Sequence, residues 1–169
     1  MSAEPARPEP PMVGSQREQL TGFLDFHRAT VVWKCGGLTD EQARRSLVPS
    51  ELTTIAGLLG HLTFVEEYWF SIVLAGKPDR WREAFAEDPD AEFRRAMRTP
   101  IARLLAEYEQ ECRRSREILA GLDFDKVVTF RGDRAVSVHW VVAHMVEETA
   151  RHAGHLDLLR ELTDGLVGE

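Results

Sequence analysis

Cysteine is scarce: of 169 residues only Cys35 and Cys112 are of this type, and they stand far apart. A disulfide framework is therefore not expected, and without a C-x-x-C pair neither a zinc knuckle nor a dithiol redox motif is present. Lysine is confined to Lys34, Lys77 and Lys126, so arginine carries nearly all the positive charge without forming an obvious cluster. The net charge of −7 and a pI of about 5.4 argue against a nucleic-acid-binding face, which should be basic. No apolar run approaches the roughly 18 residues of a membrane span. The opening MSAEPARPEPPMVGSQ lacks the charged region and apolar core of a secretory signal. It is Pro-rich and polar, and reads as a disordered lead over residues 1–16. A soluble cytoplasmic protein is the expectation. The H-E-x-x-H metalloprotease motif, a Gly-rich phosphate loop and a G-x-S-x-G nucleophile elbow are all missing.

With 43% hydrophobic residues the remainder, residues 17–169, can bury the core of one domain. Apolar positions at Leu20, Phe23, Leu24, Phe26, Val31 and Val32 predict an amphipathic helix from Glu18 to Cys35, ended by Gly36-Gly37. A helical turn follows over residues 39–46, with Thr39 or Asp40 as its cap. A second long helix starts at Thr53 or Thr54 and runs to Ala75, with Ile55, Leu58, Leu62, Val65 and Trp69 facing inward; Gly76 and Pro78 stop it. Residues 77–90 form a polar connection with Trp81 and Phe85 as anchors, longer than a tight turn. Asp90 caps a short turn over 91–98, and Thr99-Pro100 supplies an N-cap and first residue for a third long helix to Ala120. Residues 122–136 fit either an extended segment or a hairpin. Ser137 caps a fourth long helix to Thr163, ended by Asp164-Gly165. Four long helices and no convincing sheet predict an all-α protein, a four-helix bundle with a long crossover connection.

What is most informative lies in HMVEETARHAGH. His144, Glu148, His152 and His155 are spaced four, four and three apart, within roughly 80° of one helical face. Glu and His on a helix usually face water, but this stripe contains no Lys or Arg and borders the core positions Val141, Val142, Met145, Ala153, Leu156 and Leu159. Helical i, i+4 spacing lets one helix offer two donors to one metal ion. A further donor is needed, and His61 on the core-bearing face of the second long helix is the best placed. His27 is a weaker candidate, and His139 lies on another face. Two imidazoles and a carboxylate with an open position suit a catalytic rather than a structural ion, for thiol ionisation or for water activation. A ferritin-like di-iron site is excluded, because Glu148 is followed three residues on by Arg151 instead of His. Glu66-Glu67 reads as a solvated edge, with Glu66 an alternative partner for a ligand histidine. The four tryptophans read as packing anchors.

GLLGHLTFVEEYWF, the later HMVEETARHAGHLDLLRELTDG and the flanking FLDFHRATVVWKCGGLTDEQARRSLVPSELT together resemble the DinB-like superfamily, in particular an actinobacterial branch known as a domain of unknown function. The resemblance covers nearly the whole chain after residue 16. It implies a DinB-type four-helix bundle holding a divalent metal, zinc first and nickel, iron or manganese as alternatives. The implied ligands are His61, Glu148 and His152. Many relatives have His where this chain has Glu148, and the His/Glu/His version resembles the mycothiol-dependent maleylpyruvate isomerases. His155 then becomes an alternative ligand or a group contacting substrate, and His144 a more distant alternate. Relatives include bacillithiol transferase-like proteins. The implied function is a metal-dependent thiol S-transferase or isomerase, using mycothiol or a similar low-molecular-weight thiol on a small electrophile, in a protein able to form a homodimer. A metal-dependent hydrolase and a non-enzymatic metal- or small-ligand-binding stress protein are the competing expectations.

Overall fold

Ser15 starts the first long helix. Its hydroxyl accepts from the Glu18 amide while the Glu18 carboxylate accepts from the Ser15 amide, a reciprocal cap that places α1 at Gln16–Cys35. The computed structural model describes residues 7–168. Thr39 caps the one-turn α2 (Asp40–Ala43) in the same way. Thr54 Oγ1 accepts from the Gly57 amide at 2.9 Å and opens α3 (Ile55–Glu66). The chain continues from α3 without a break into a π-helical segment, Glu67–Leu74, a widened turn of a kind often found at functional sites. Then come α4 (Arg82–Glu87), α5 (Ala91–Ala96), α6 (Ile101–Ala120), β1 (Val127–Phe130), β2 (Arg134–Ser137) and α7 (Val138–Asp164). β1 and β2 pair antiparallel, Val127 opposite Ser137 and Phe130 opposite Arg134, so residues 122–136 include a hairpin. Ser137 Oγ accepts from the Trp140 amide at 3.1 Å, and Gly165, at φ 77°, ends α7 in the left-handed conformation that glycine favours.

The fold is all-α apart from that hairpin. Three local expectations change. The connection over 77–90 carries its own helix, α4. Asp90 makes no side-chain cap to α5. The Thr99-Pro100 start shifts by one residue, because Thr99 Oγ1 turns back to the Arg95 carbonyl at 2.8 Å, while Asp40 Oδ1 reaches across from α2 and accepts from the Ile101 amide at 2.8 Å. A carboxylate from another element thus does the capping expected of the local threonine. Residues 1–6 of the Pro-rich lead lie outside the described residues. Further along that lead, Pro10 and Pro11 rest against Gly22, and the Pro11 and Met12 carbonyls accept from Gln19.

α1 packs along α7 and also meets α3 and α6, and α3 packs on α5, α6 and α7. Two apolar clusters result. One gathers Val31, Leu58, Leu59, Leu62, Leu104 and Leu156 among others; the second gathers Leu24, Val65, Phe70, Val138, Val142 and Met145. Buried polar groups cross the molecule between them. Arg28, one turn from both Leu24 and Val31, forms a two-pronged pair with Glu66 at 2.7 and 2.6 Å, both residues almost wholly buried. Glu67 receives Arg80 at 2.6 and 2.7 Å and Trp81 Nε1 at 2.9 Å. Ser71 donates to the buried Glu111 at 3.1 Å. Glu66-Glu67 is therefore no solvated edge: each carboxylate is taken out of water and paired with an arginine, as a buried charge requires. Glu66 serves Arg28 rather than a histidine.

Candidate metal centre

The polar layer opens on one side of α7, between its two apolar stretches. Residues 138–145 of α7 feed one cluster and residues 153–159 the other; Glu148 and His152 occupy the interval, half-buried and one helical turn apart. From α3, His61 arrives at the same level. Its Nε2 lies 3.1 Å from Glu148 Oε1, and His152 Nε2 lies 3.3 Å from the same oxygen. The His61 and His152 rings meet edge to face with centroids 5.0 Å apart. One nitrogen or oxygen from each of His61, Glu148 and His152 falls within 4.8 Å of the others, a set that can hold a metal ion.

His61 is held from behind. Glu92 on α5 places Oε1 3.2 Å from His61 Nδ1, and Phe93 stacks on the ring at 5.0 Å with planes 14° apart. Gly60 allows α5 this close approach: a Cβ there would meet the Ala96 Cβ at 2.5 Å and the Glu92 carbonyl at 3.3 Å, whereas one on Gly57 would run first into the Leu52 carbonyl. Glu92 is buried, and its Oε2 has no hydrogen-bond partner among the described residues. Sequence reasoning did not single out Glu92. The signal that would have found it is Gly60, immediately before His61, which marks a close contact with another element.

The electrostatics follow from these contacts. Burial alone would push the His61 imidazole down, but its hydrogen bonds to Glu148 and Glu92 prevail and raise it to about 9. His61 is then protonated at neutral pH, and both ring N–H groups donate to carboxylates. The contacts from His152 and then His61 hold the Glu148 carboxyl well below the usual range. A metal ion there would take the place of the His61 Nε2 proton, between groups already arranged around a positive charge. A carboxylate behind the far ring nitrogen is the arrangement that fixes the orientation of a metal-binding histidine. The donor set of two imidazoles and one carboxylate fits a divalent ion.

His155 stays beside the set. It is exposed, and its Nδ1 lies 3.2 Å from His152 Nδ1. His144 points elsewhere: it stacks on Trp140 at 5.0 Å and meets Trp69 at 5.1 Å. His27 packs edge-on to Phe26, and His139 stacks on Phe124. Of the four donors in the stripe, the tertiary structure thus gathers Glu148 and His152 with His61 and leaves His155 and His144 outside.

A mainly helical chain thus brings His61, Glu148 and His152 together as a group that could hold a metal ion. The match to a known family is more specific. The model of the mycothiol-S-transferase family matches residues 19–165, and the chain belongs to that family, within the DinB-like superfamily. No curated protein matches the chain.

Proposed function

We propose that this protein is a metal-dependent thiol S-transferase that joins mycothiol, or a similar low-molecular-weight thiol, to a small electrophile. Thiol-dependent isomerisation is a variant of the same chemistry. The observation that carries this reading is the convergence of His61, Glu148 and His152, with Glu92 behind His61, in a chain of the mycothiol-S-transferase family. His61, Glu148 and His152 would hold the ion, zinc being the best match to the donors. Such an ion supplies positive charge that favours the ionised form of a thiol at neutral pH. Glu92 keeps a proton on His61 Nδ1 and so directs the Nε2 lone pair toward Glu148 and His152. Glu148 contributes the single negative charge of the set. With an ion bound, His155 Nδ1, 3.2 Å from His152 Nδ1, would accept from it and leave His152 Nε2 free for the metal.

On this reading α1, α3 with its π-helical extension, α6 and α7 form a DinB-type four-helix bundle. Residues 75–100 make its crossover, and residues from 17 onward make up one domain. No helix among the described residues is long and apolar enough to cross a membrane. The cytoplasm, where such thiols are kept reduced, is the proposed place of action, and Cys35 and Cys112 are free and buried there. The test is conjugation of mycothiol to a panel of electrophiles before chelation, after chelation and after zinc is restored. Activity that disappears and returns with the metal is expected. Metal-independent conjugation, or none with any thiol, would defeat the reading, and ester or amide cleavage without thiol would favour a hydrolase.

A further inference from the structure

The first turns of α7 carry an aromatic group that packing alone does not account for. Trp140 is 50% exposed, whereas a tryptophan that serves only as an anchor is mostly buried. Its ring stacks on His144 at 5.0 Å with planes 20° apart. Both rings meet Trp69, His144 edge-on at 5.1 Å and Trp140 at 5.4 Å. This shelf lies along the same pair of helices as the histidine cluster. His144 stands one helical turn, about 6 Å, before Glu148 on α7, and Trp69 follows His61 by two turns on the unbroken helix opposite. Trp69 and His144 thus meet across the helices as His61 and Glu148 do. We infer that Trp69, Trp140 and His144 bind the electrophile, and that they select flat, uncharged, electron-poor aromatic compounds. Assigning the bound compound as the electrophile rests on the transferase reading.

Three features point to such a ring. First, aromatic faces are electron-rich, and they favour offset stacks and edge contacts with other rings beyond what buried area supplies. An aromatic compound that a thiolate can attack is electron-poor, so its face complements theirs. Second, the shelf suits a neutral compound. Glu147, 3.6 Å from His144 Nδ1, is itself held by Arg151 at 2.6 Å, so a carboxylate or phosphate would meet charge of its own sign beside the rings. Third, exposure is graded. Trp140 is half exposed, the His144 side chain is 26% exposed, and Trp69 is half-buried with Phe130 against it at 5.6 Å. An incoming ring therefore lands on Trp140 and His144, while Trp69 is the fixed floor. Trp69 belongs to the π-helical segment Glu67–Leu74, and a widened turn changes the direction in which its side chains leave the helix. The shelf thus gives that irregular turn a use.

The experiment follows the indole Nε1–H signals of Trp33, Trp69, Trp81 and Trp140 by heteronuclear NMR, in the full-length protein with its metal removed, as dinitrotoluene is added. This probe is flat and electron-poor but carries no halide for a thiol to displace. Saturable shifts are expected at Trp69 and Trp140 and not at Trp33 or Trp81, and succinate at the same concentrations should move none of them. Trp140→Leu keeps an apolar side chain at a half-exposed position, so its melting temperature should hold while binding, read at Trp69, weakens at least tenfold. Trp140→Phe should restore most of that loss. In the metal-loaded protein with mycothiol, Trp140→Leu should lower kcat/KM for an aromatic electrophile at least tenfold relative to that for iodoacetamide, chiefly through KM. Shifts at none or at all of the indoles, binding by Trp140→Leu equal to that of the unaltered protein, or equal binding of succinate overturns the assignment. If mycothiol reacts in a metal-dependent way and dinitrotoluene moves no signal, the shelf assignment falls and the transferase reading stands. If dinitrotoluene binds as expected and no thiol reacts, the aromatic site stands and the transferase reading falls.

Discussion

Raising the pH from about 6.5 to about 9 should weaken the metal-free protein and strengthen its hold on a metal. Without metal, His61 is protonated between Glu148 and Glu92 and titrates at about 9 against an ordinary value of 6.5. A folded-state value above the unfolded one means a contribution complete below 6.5 and lost as pH rises through about 9. The gap corresponds to about 3 kcal/mol. The His61 side chain is only 20% exposed, so solvent screening removes little of it. The depression of Glu148 describes the same contact from the other side and is not added. Its contribution is present above the ordinary carboxylate value of 4.5 and fades only toward acid, so it leaves this window alone. Against the ~5–15 kcal/mol stability of an ordinary domain, the loss is large enough to read in urea melts of chelator-treated protein at pH 6, 7.5 and 9. Metal binding must displace the His61 Nε2 proton, so apparent affinity should rise about tenfold per pH unit, about 30-fold between pH 7 and 8.5. Competition of Co²⁺ between the protein and a chromophoric chelator measures it. Flat affinity over that range, or metal-free stability that does not fall between pH 6.5 and 9, would show that His61 is not the protonated bridge between two carboxylates.

Other outcomes follow from the same contacts. His61→Ala and His152→Ala should each abolish stoichiometric metal binding, measured by elemental analysis after gel filtration, while His144→Ala, whose ring lies against Trp69 and Trp140, retains it. Glu92→Gln should keep the fold and weaken metal affinity about 10–100-fold, the usual effect of losing the carboxylate behind a ligand histidine; the chelator competition reads it. Glu66→Gln leaves the buried Arg28 without its countercharge and should cost about 3–5 kcal/mol in denaturant melts, whereas replacing Arg28 and Glu66 together by apolar residues of similar volume should recover most of that.

How much was legible in the chain depends on the range of each signal. Thr39, Thr54 and Ser137 cap helices through contacts within three residues, so the chain alone displays them; Ser15 caps in the same way, although the apolar pattern pointed to a start at Glu18. The same holds for the Glu148–His152 pair, whose i, i+4 spacing is a property of one helix. The core face of α7 was readable as well, since Val138, Val141, Val142, Met145, Ala153, Leu156 and Leu159 are all buried. The π-helical turn at Glu67–Leu74 was not, because an apolar stretch carries the same pattern whether the helix is widened or not. Nor was the cap of α6, where Asp40 acts from 61 residues away. The burial of Glu66 could not be read either, because its partner Arg28 lies 38 residues off and a charged pair in sequence looks like a solvated face.

By itself, then, the sequence determined where most long helices begin and end, which face of the last helix is apolar, and which four side chains on that helix are offered as donors. Its two distant cysteines also pointed away from a disulfide framework, and both are free. Only the tertiary structure decided that Glu148 and His152 meet His61 while His144 turns to the tryptophans, and that Glu92 stands behind His61. The physical reason is that spacing along one helix fixes directions about its own axis. A site joining residues 61, 92 and 148 depends instead on how closely α5 docks on α3, an approach that the missing side chain of Gly60 permits.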